Sequence, residues 1–146
     1  MKRAVFPGSF DPFTIGHQVL VTRGLSLFDE IIIAIGSNTE KNPMNSLKER
    51  ETTINALYKD EPRVRITTYS GLTYNLCQGL SAPYIIRGLR NAQDFNYEQA
   101  IAQTNLQMGG IETVFLSAEP HLTHMSSSIV RDIAKHRGDL SDFLPK

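Results

Sequence analysis

Short apolar runs alternate with longer amphipathic stretches along the whole chain. The runs at residues 3–6, 30–35, 64–69, 84–86 and 113–116 predict strands. The run Ile31-Ile32-Ile33-Ala34-Ile35 has no polar alternation. That is the pattern of a strand buried on both faces, as in a parallel sheet covered by helices. Between the runs, helical periodicity predicts helices over residues 17–28, 47–58, 72–79, 95–108 and 128–136. Ser46 and Glu49 have the spacing of a capping box before the second of these. Gly138 stands just past the last, where a C-terminal glycine belongs. Strict β-α alternation with right-handed crossovers implies the α/β class, with five strands in a doubly wound parallel sheet. The polar, aperiodic segments 37–46 and 119–125 are expected to be mobile.

Composition narrows the field without choosing a chemistry. The chain has 146 residues and 40% hydrophobic content, enough for one core, and no repeat or linker divides it. A single domain over residues 1–146 is expected. Fifteen basic and fifteen acidic residues cancel. No global field favours nucleic acid, although a local basic cluster still suits a small anion. No apolar run reaches transmembrane length, and the N-terminus lacks a secretory pattern, so the cytoplasm is the expected location. The single cysteine, Cys77, has no internal disulfide partner and is expected to be a buried thiol.

Candidate chemistry concentrates in four places. The segment Gly8-Ser9-Phe10-Asp11-Pro12-Phe13-Thr14-Ile15-Gly16-His17 lies where the first strand hands over to the first helix. Such junctions hold nucleotide phosphates in open α/β sheets. His17 there can donate a hydrogen bond to a phosphate oxygen or carry charge. The string Ile86-Arg87-Gly88-Leu89-Arg90, followed by Asp94-Phe95-Asn96-Tyr97-Glu98, puts two arginines straight after a predicted strand. Each guanidinium can fork onto phosphate oxygens, although solvated loop arginines read the same way in isolation. Met125-Ser126-Ser127-Ser128 precedes an apolar-periodic helix. The serines read as N-caps, and the same helix N-terminus favours an anion. Lys41 comes before Pro43-Met44 in a polar segment, whereas Lys48 and Arg50 read as the exposed face of a helix. His121 and His124 are too few, and Cys77 too remote, for a zinc site, so no protein-held metal is expected. His136 suits its helix C-terminus electrostatically.

Taken together, these strings resemble the nucleotidyltransferase superfamily with its T/H-x-G-H signature, and within it the phosphopantetheine adenylyltransferase family. Pro7-Gly8-Ser9-Phe10-Asp11-Pro12 before Thr14-Ile15-Gly16-His17, the I-R-G-L-R…D-F-x-Y-E string, the K-x-P-M order and the serine triplet carry the resemblance. It implies a Rossmann-like nucleotidyltransferase fold and transfer of AMP from ATP to 4′-phosphopantetheine, giving dephospho-coenzyme A and pyrophosphate. It implies His17, Lys41 and Arg90 as catalytic. ATP would be bound by Ser9, Phe10, His17, Gly88, Leu89, Arg90, Glu98, Leu122, Thr123, His124, Met125, Ser126, Ser127 and Ser128. Phosphopantetheine would be bound by Ser9, Lys41, Thr73 and Arg87. It also implies Mg²⁺ bound mainly through ATP phosphates, a homohexamer, and coenzyme A as a candidate feedback ligand. Departures are small: Ser9 stands where threonine is frequent, Thr73 where an apolar residue is frequent, and no aromatic residue stands near Leu122.

Competing classes lack their signatures. No G-x-G-x-x-G follows the first strand and no Walker A string is present, which disfavours a dinucleotide oxidoreductase or a P-loop protein. No K-M-S-K-S string or anticodon module marks a class I aminoacyl-tRNA synthetase. The remaining alternatives are a nucleotidyltransferase with another acceptor, which the I-R-G-L-R string opposes, and a non-catalytic nucleotide-binding module.

Overall fold

Five parallel strands form one sheet in the order β3-β2-β1-β4-β5 in a computed structural model that describes residues 1–37 and 42–146. The strands are β1 (Arg3–Gly8), β2 (Glu30–Gly36), β3 (Val64–Tyr69), β4 (Tyr84–Leu89) and β5 (Glu112–Ser117). Between and after them run α1 (Ile15–Gly24), α2 (Leu47–Leu57), α3 (Thr73–Gly79), α4 (Ala92–Gly109) and α5 (Ser127–Lys135). Every strand pair is parallel, as the unbroken apolar runs predict. The chain builds outward from β1 to β3, returns, and lays β4 on the other side of β1. The order therefore reverses between β1 and β4. The crevice outside the carboxyl ends of those two strands is where such sheets bind ligands.

Residue alternation sorts the central strands onto two faces. Ala4, Phe6, Ile31, Ile33 and Ile35 pack with Leu20 and Val21 of α1 and Ile54 of α2. Val5, Ile32 and Ala34 face the other way, against Cys77 of α3, Ala82 and Ile111. Burial pushes the Cys77 thiol up to about 11, so it is an unreactive packing residue. A third cluster, Leu122, Met125 and Val130 with Phe143 and Leu144, seats α5 and the chain after it.

Several boundaries differ from the sequence reading. Helix α1 begins at Ile15, two residues before His17, because Thr14 is its N-cap. Helix α4 begins at Ala92, where the Asn91 side chain accepts from the Asp94 N–H, and after Gly109 it is capped by Gly110 with φ 73°. Strand β4 continues through Leu89, so Arg87 lies within the strand, opposite Phe115, and only Arg90 follows it. Residues 119–125, expected to be mobile, contain a 3-10 turn at Pro120–Leu122 and bury Leu122 and Met125. The Met125 N–H donates to the Leu122 carbonyl at 3.0 Å. Arg50, expected on an exposed helix face, is only 4% exposed. Its carbonyl partners on other elements pull it inward, which helical periodicity does not register.

Ile33 is fully buried in β2, the strand between β1 and β3. Ile33→Ala should lower unfolding stability by about 2–5 kcal/mol, the usual cost of lost transfer energy plus a cavity. Urea denaturation followed by circular dichroism measures it.

Candidate active site

Thr14 and His17 cap the first turn of α1 reciprocally. The His17 N–H donates to the Thr14 hydroxyl oxygen at 3.3 Å, and the Thr14 N–H donates to His17 Nδ1 at 2.9 Å. A backbone N–H can only donate, so Nδ1 is unprotonated. The neutral ring therefore carries its proton on Nε2. Three aromatic rings surround the imidazole, with centroid distances of 5.9 Å to Phe6, 5.1 Å to Phe10 and 5.3 Å to Phe13. Burial first, and then the positive charges of Arg87 and Arg90, push its pKa down to about 3. The sequence left a neutral donor and a charged imidazolium both open; the structure holds a neutral Nε2–H donor.

A cavity of about 240 Å³ opens beside this ring. Among the residues expected at a nucleotide, His17, Gly88, Arg90, Glu98, Leu122, Met125, Ser126 and Ser127 line it. Ser9, Phe10, Leu89, Thr123, His124 and Ser128 are not in its lining. Phe10 instead packs its ring on Phe6, Phe13 and His17. The Thr123 hydroxyl donates to the Pro120 carbonyl, and the His124 ring lies against Phe143. The Ser128 hydroxyl accepts from Arg131. The Ser126 side chain caps α5 through the Ile129 N–H, and the Ser127 hydroxyl donates to the Pro12 carbonyl at 2.8 Å.

A second cavity, of about 200 Å³, adjoins the first. Thr73 and Arg87 line it, with Tyr69, Tyr97, Ile101 and Asn105. Arg87 and Glu98 line both cavities and form a wall between them. Glu98 is only 8% exposed, and Arg87 reaches its carboxylate from Nη2 at 2.6 Å and from Nε at 3.1 Å. Arg87 Nη1 donates to the Pro7 carbonyl, so this side chain ties the ends of β1 and β4 to α4. Arg90 is held by Asp94, from Nε at 3.0 Å and Nη2 at 3.2 Å, and its Nη1 donates to the Met125 carbonyl at 3.4 Å. Arg90 beside it also holds the Asp94 carboxyl below its ordinary value, against the effect of burial.

Lys41 lies outside the described residues. Both flanks of its segment are anchored. The Ser37 N–H and hydroxyl donate to the Tyr69 carbonyl at 2.8 and 3.0 Å. The Asp11 carboxylate, 4% exposed, accepts from the Met44 and Asn45 N–H groups at 2.8 and 2.9 Å. Sequence reasoning missed Thr14, Asp94, Tyr69, Tyr97 and Asn105. Thr14 and Asp94 belong to strings already singled out. Tyr97 also lies in the Asp94–Glu98 string, whereas Tyr69 and Asn105 have no local signal, since only the fold brings β3 and α4 to one cavity.

A doubly wound sheet with a histidine at the start of its first helix, one arginine within β4 and a second just past its end has the make-up of a nucleotidyltransferase. The chain matches the cytidylyltransferase-like family model over residues 5–133. A phosphopantetheine adenylyltransferase from Flavobacterium psychrophilum is 51% identical over 146 residues, which is 100% of this chain and 97% of that protein. One from Bacteroides thetaiotaomicron is 47% identical, again over 100% of this chain and 97% of the other. The chain belongs to the phosphopantetheine adenylyltransferase family. Among solved structures, a candidate nicotinate-nucleotide adenylyltransferase from Vibrio parahaemolyticus superposes with a TM-score of 0.72 at 21% identity, covering 100% of this chain and 95% of that one. A bifunctional NMN adenylyltransferase/ADP ribose pyrophosphatase from Francisella tularensis, complexed with AMP and a manganese ion, superposes with a TM-score of 0.70 at 16% identity over 98% of this chain and 44% of that one. At these identities the structures share the fold.

The depressed His17 pKa has a thermodynamic consequence. In the unfolded chain the ring takes up a proton below its ordinary value of 6.5, while the folded ring stays neutral down to about 3. Stability from this group is complete above the unfolded value and is lost as pH falls toward the folded one. The melting-temperature advantage of the native protein over His17→Gln should therefore narrow between about pH 7 and about pH 4. Thermal unfolding of both proteins across that range tests it, and a constant difference would mean that the ring titrates normally.

Proposed function

We infer that this chain transfers the adenylyl group of ATP to the phosphate of 4′-phosphopantetheine, giving dephospho-coenzyme A and pyrophosphate. Full-length similarity to the family supports the reaction. The observation that supports the assignment of roles is the pair of cavities meeting at Arg87 and Glu98, with neutral His17 on the wall of the larger one. In this reading the larger cavity takes ATP and the smaller takes the pantetheine arm.

The chemistry is mainly placement and charge. A phosphate monoester has its second ionisation near ~6, so the acceptor arrives largely as a dianion at neutral pH. It needs no general base. Asp94 and Glu98 are already engaged by arginines, which suits a site without one. The barrier lies in bringing a dianion to the α-phosphorus of a polyanion. His17 would donate from Nε2 to an α-phosphate oxygen as negative charge builds there. Because the ring is already neutral and oriented by Thr14, it needs no reorganisation at that moment. Arg90 would hold ATP phosphates and Arg87 the acceptor side. Lys41 would bridge donor and acceptor phosphates. Ser9 and Phe10 would face the phosphates through the backbone amides of the first loop. Ser126 and Ser127, at the start of α5, would add donors at a positive helix end.

We propose Mg²⁺ as the accompanying metal. Of the carboxylates lining the larger cavity, Asp94 and Glu98 are bound to arginines and Glu119 lies 3.7 Å from His121. This donor set fits an ion that arrives on ATP and keeps its waters, as magnesium tends to do. When bound, it would neutralise triphosphate charge. We also propose one domain across the chain, a homohexamer, a cytoplasmic location, and coenzyme A as a feedback ligand sharing the pantetheine cavity. The exposed apolar side chains of α4, among them Tyr97, Ile101, Leu106 and Met108, support self-association. No helix among the described residues is long and apolar enough to cross a membrane.

His17→Ala should lose about a hundred- to a thousandfold in turnover, the usual loss on removing one such donor, with little change in the KM for ATP. Steady-state pyrophosphate release measures both, and near-normal turnover in the folded variant would remove His17 from the reaction. Pantetheine without its phosphate should be turned over negligibly. Its alcohol carries a proton, the carboxylates of Asp94 and Glu98 are already bound to arginines, and the phosphate that Arg87 and Lys41 would meet in this reading is missing. Comparable rates for the two acceptors would sink this mechanism.

A further inference from the structure

Three carbonyls, one at the end of β1 and two in the loop that follows it, accept hydrogen bonds from three different arginines. Pro7 is held by Arg87 of β4, Ser9 by Arg50 of α2, and Asp11 by Arg131 of α5. Of these, Arg50 is the unusual one. It is 4% exposed and lines neither cavity. Its Nη1 donates to the Ser9 carbonyl at 2.7 Å and to the Gly36 carbonyl at 3.3 Å. Its Nε donates to the Asn45 and Ser46 carbonyls at 3.2 and 3.3 Å. Among the described residues it has no carboxylate partner. A buried guanidinium without a counter-ion is costly, and a surface arginine would serve α2 as well. Its placement calls for a reason at the carbonyls it grips.

The Ser9 carbonyl shares a trans peptide with the Phe10 N–H, and in such a plane the two point in opposite directions. Fixing the carbonyl on Arg50 therefore fixes the Phe10 N–H on the opposite side. Pulling on the oxygen with a cation also polarises the peptide and strengthens that N–H as a donor. Phe10 has φ 49°, a left-handed backbone that a phenylalanine rarely adopts. Its ring is locked between Phe6, Phe13 and His17. The aromatic rings hold one end of this strained turn and Arg50 holds the other, which is how an unfavourable backbone persists at a functional site.

We propose that Arg50 is a positioning residue of the adenylyl-transfer reaction, acting from outside both cavities by orienting and polarising the Ser9–Phe10 peptide so that the Phe10 N–H faces substrate phosphate. The inference rests on the reading of the first loop as a phosphate cradle. It also gives the Gly36 contact a purpose, because one guanidinium then joins the carboxyl end of β2 to the first loop.

The test compares the native protein with Arg50→Lys and Arg50→Gln. Lysine keeps the charge but not the fork that spans Ser9 and Gly36, and glutamine keeps a donor without charge. Turnover should fall by at least about tenfold in both variants, with the KM for phosphopantetheine nearly unchanged. The ¹H–¹⁵N resonance of Phe10 should shift on addition of ATP to the native protein and shift far less in the variants. Wild-type turnover, or a Phe10 response to ATP as large in the variants as in the native protein, would overturn the role of Arg50 alone. A Phe10 resonance that ignores ATP in the native protein would overturn the phosphate-cradle reading and this inference with it. Should neither variant fold, the native protein still decides. ATP should move the Ser9 carbonyl carbon and the Arg50 side-chain nitrogens together with Phe10, and movement of Phe10 without them would refute the coupling.

Discussion

The parting of β1 and β4 at the sheet's carboxyl edge is the constraint on which this molecule turns. The strand order reverses there, so the segments leaving the two strands diverge and a crevice opens between them. Arg87 spans that opening. It holds the Pro7 carbonyl at the end of β1 while forking onto Glu98 of α4. One side chain thus fixes the spacing of two strand ends, orients a helix and divides the crevice into two cavities. A donor and an acceptor need such a division if they are to meet at one point.

Around that wall the chain presents donors whose orientation is settled before any ligand arrives. The Thr14–His17 cap starts α1 and, by the same two hydrogen bonds, decides which imidazole nitrogen carries the proton. The aromatic rings that bury the imidazole also keep it neutral. Local helix capping and core packing are therefore one arrangement around the imidazole. Arginines at three carbonyls, one at the end of β1 and two in the loop after it, extend it to the backbone. The same polar contacts that terminate elements here also fix the orientation of the groups lining the crevice.

Much of this was legible in the residues. The isoleucine-rich run Ile31–Ile35 predicts a strand buried on both faces, and β2 lies inside the sheet, between β3 and β1, with these five residues fully buried. Arg90 and Asp94 stand four residues apart, so their pairing was within reach of spacing arguments. Arg87 and Glu98 pair across a strand-to-helix connection, and only the resemblance to the family string marks both. Helical periodicity sees neighbours along α2 and so reads Arg50 as exposed, whereas its burial comes from carbonyls of β2 and the first loop. The true start of α1 is hidden in the sequence because a histidine at the third position is an unusual partner in a capping box. Cavity residues such as Tyr69 and Asn105 come from elements brought together by the crossover, which no local pattern records.

The central claim is that catalysis here is placement and charge neutralisation, with the nucleophile supplied already ionised by its own phosphate. The most direct measurement is the pH dependence of turnover with phosphopantetheine beside that with a phosphonate analogue, whose second ionisation lies higher. With His17 neutral down to about 3, no protonation of that ring falls in the working range. The acid limb should lie near ~6 for the natural acceptor and move upward with the analogue's own ionisation. An acid limb that stays in place when the acceptor is changed would mean that a group on the protein must lose a proton, and would contradict the account.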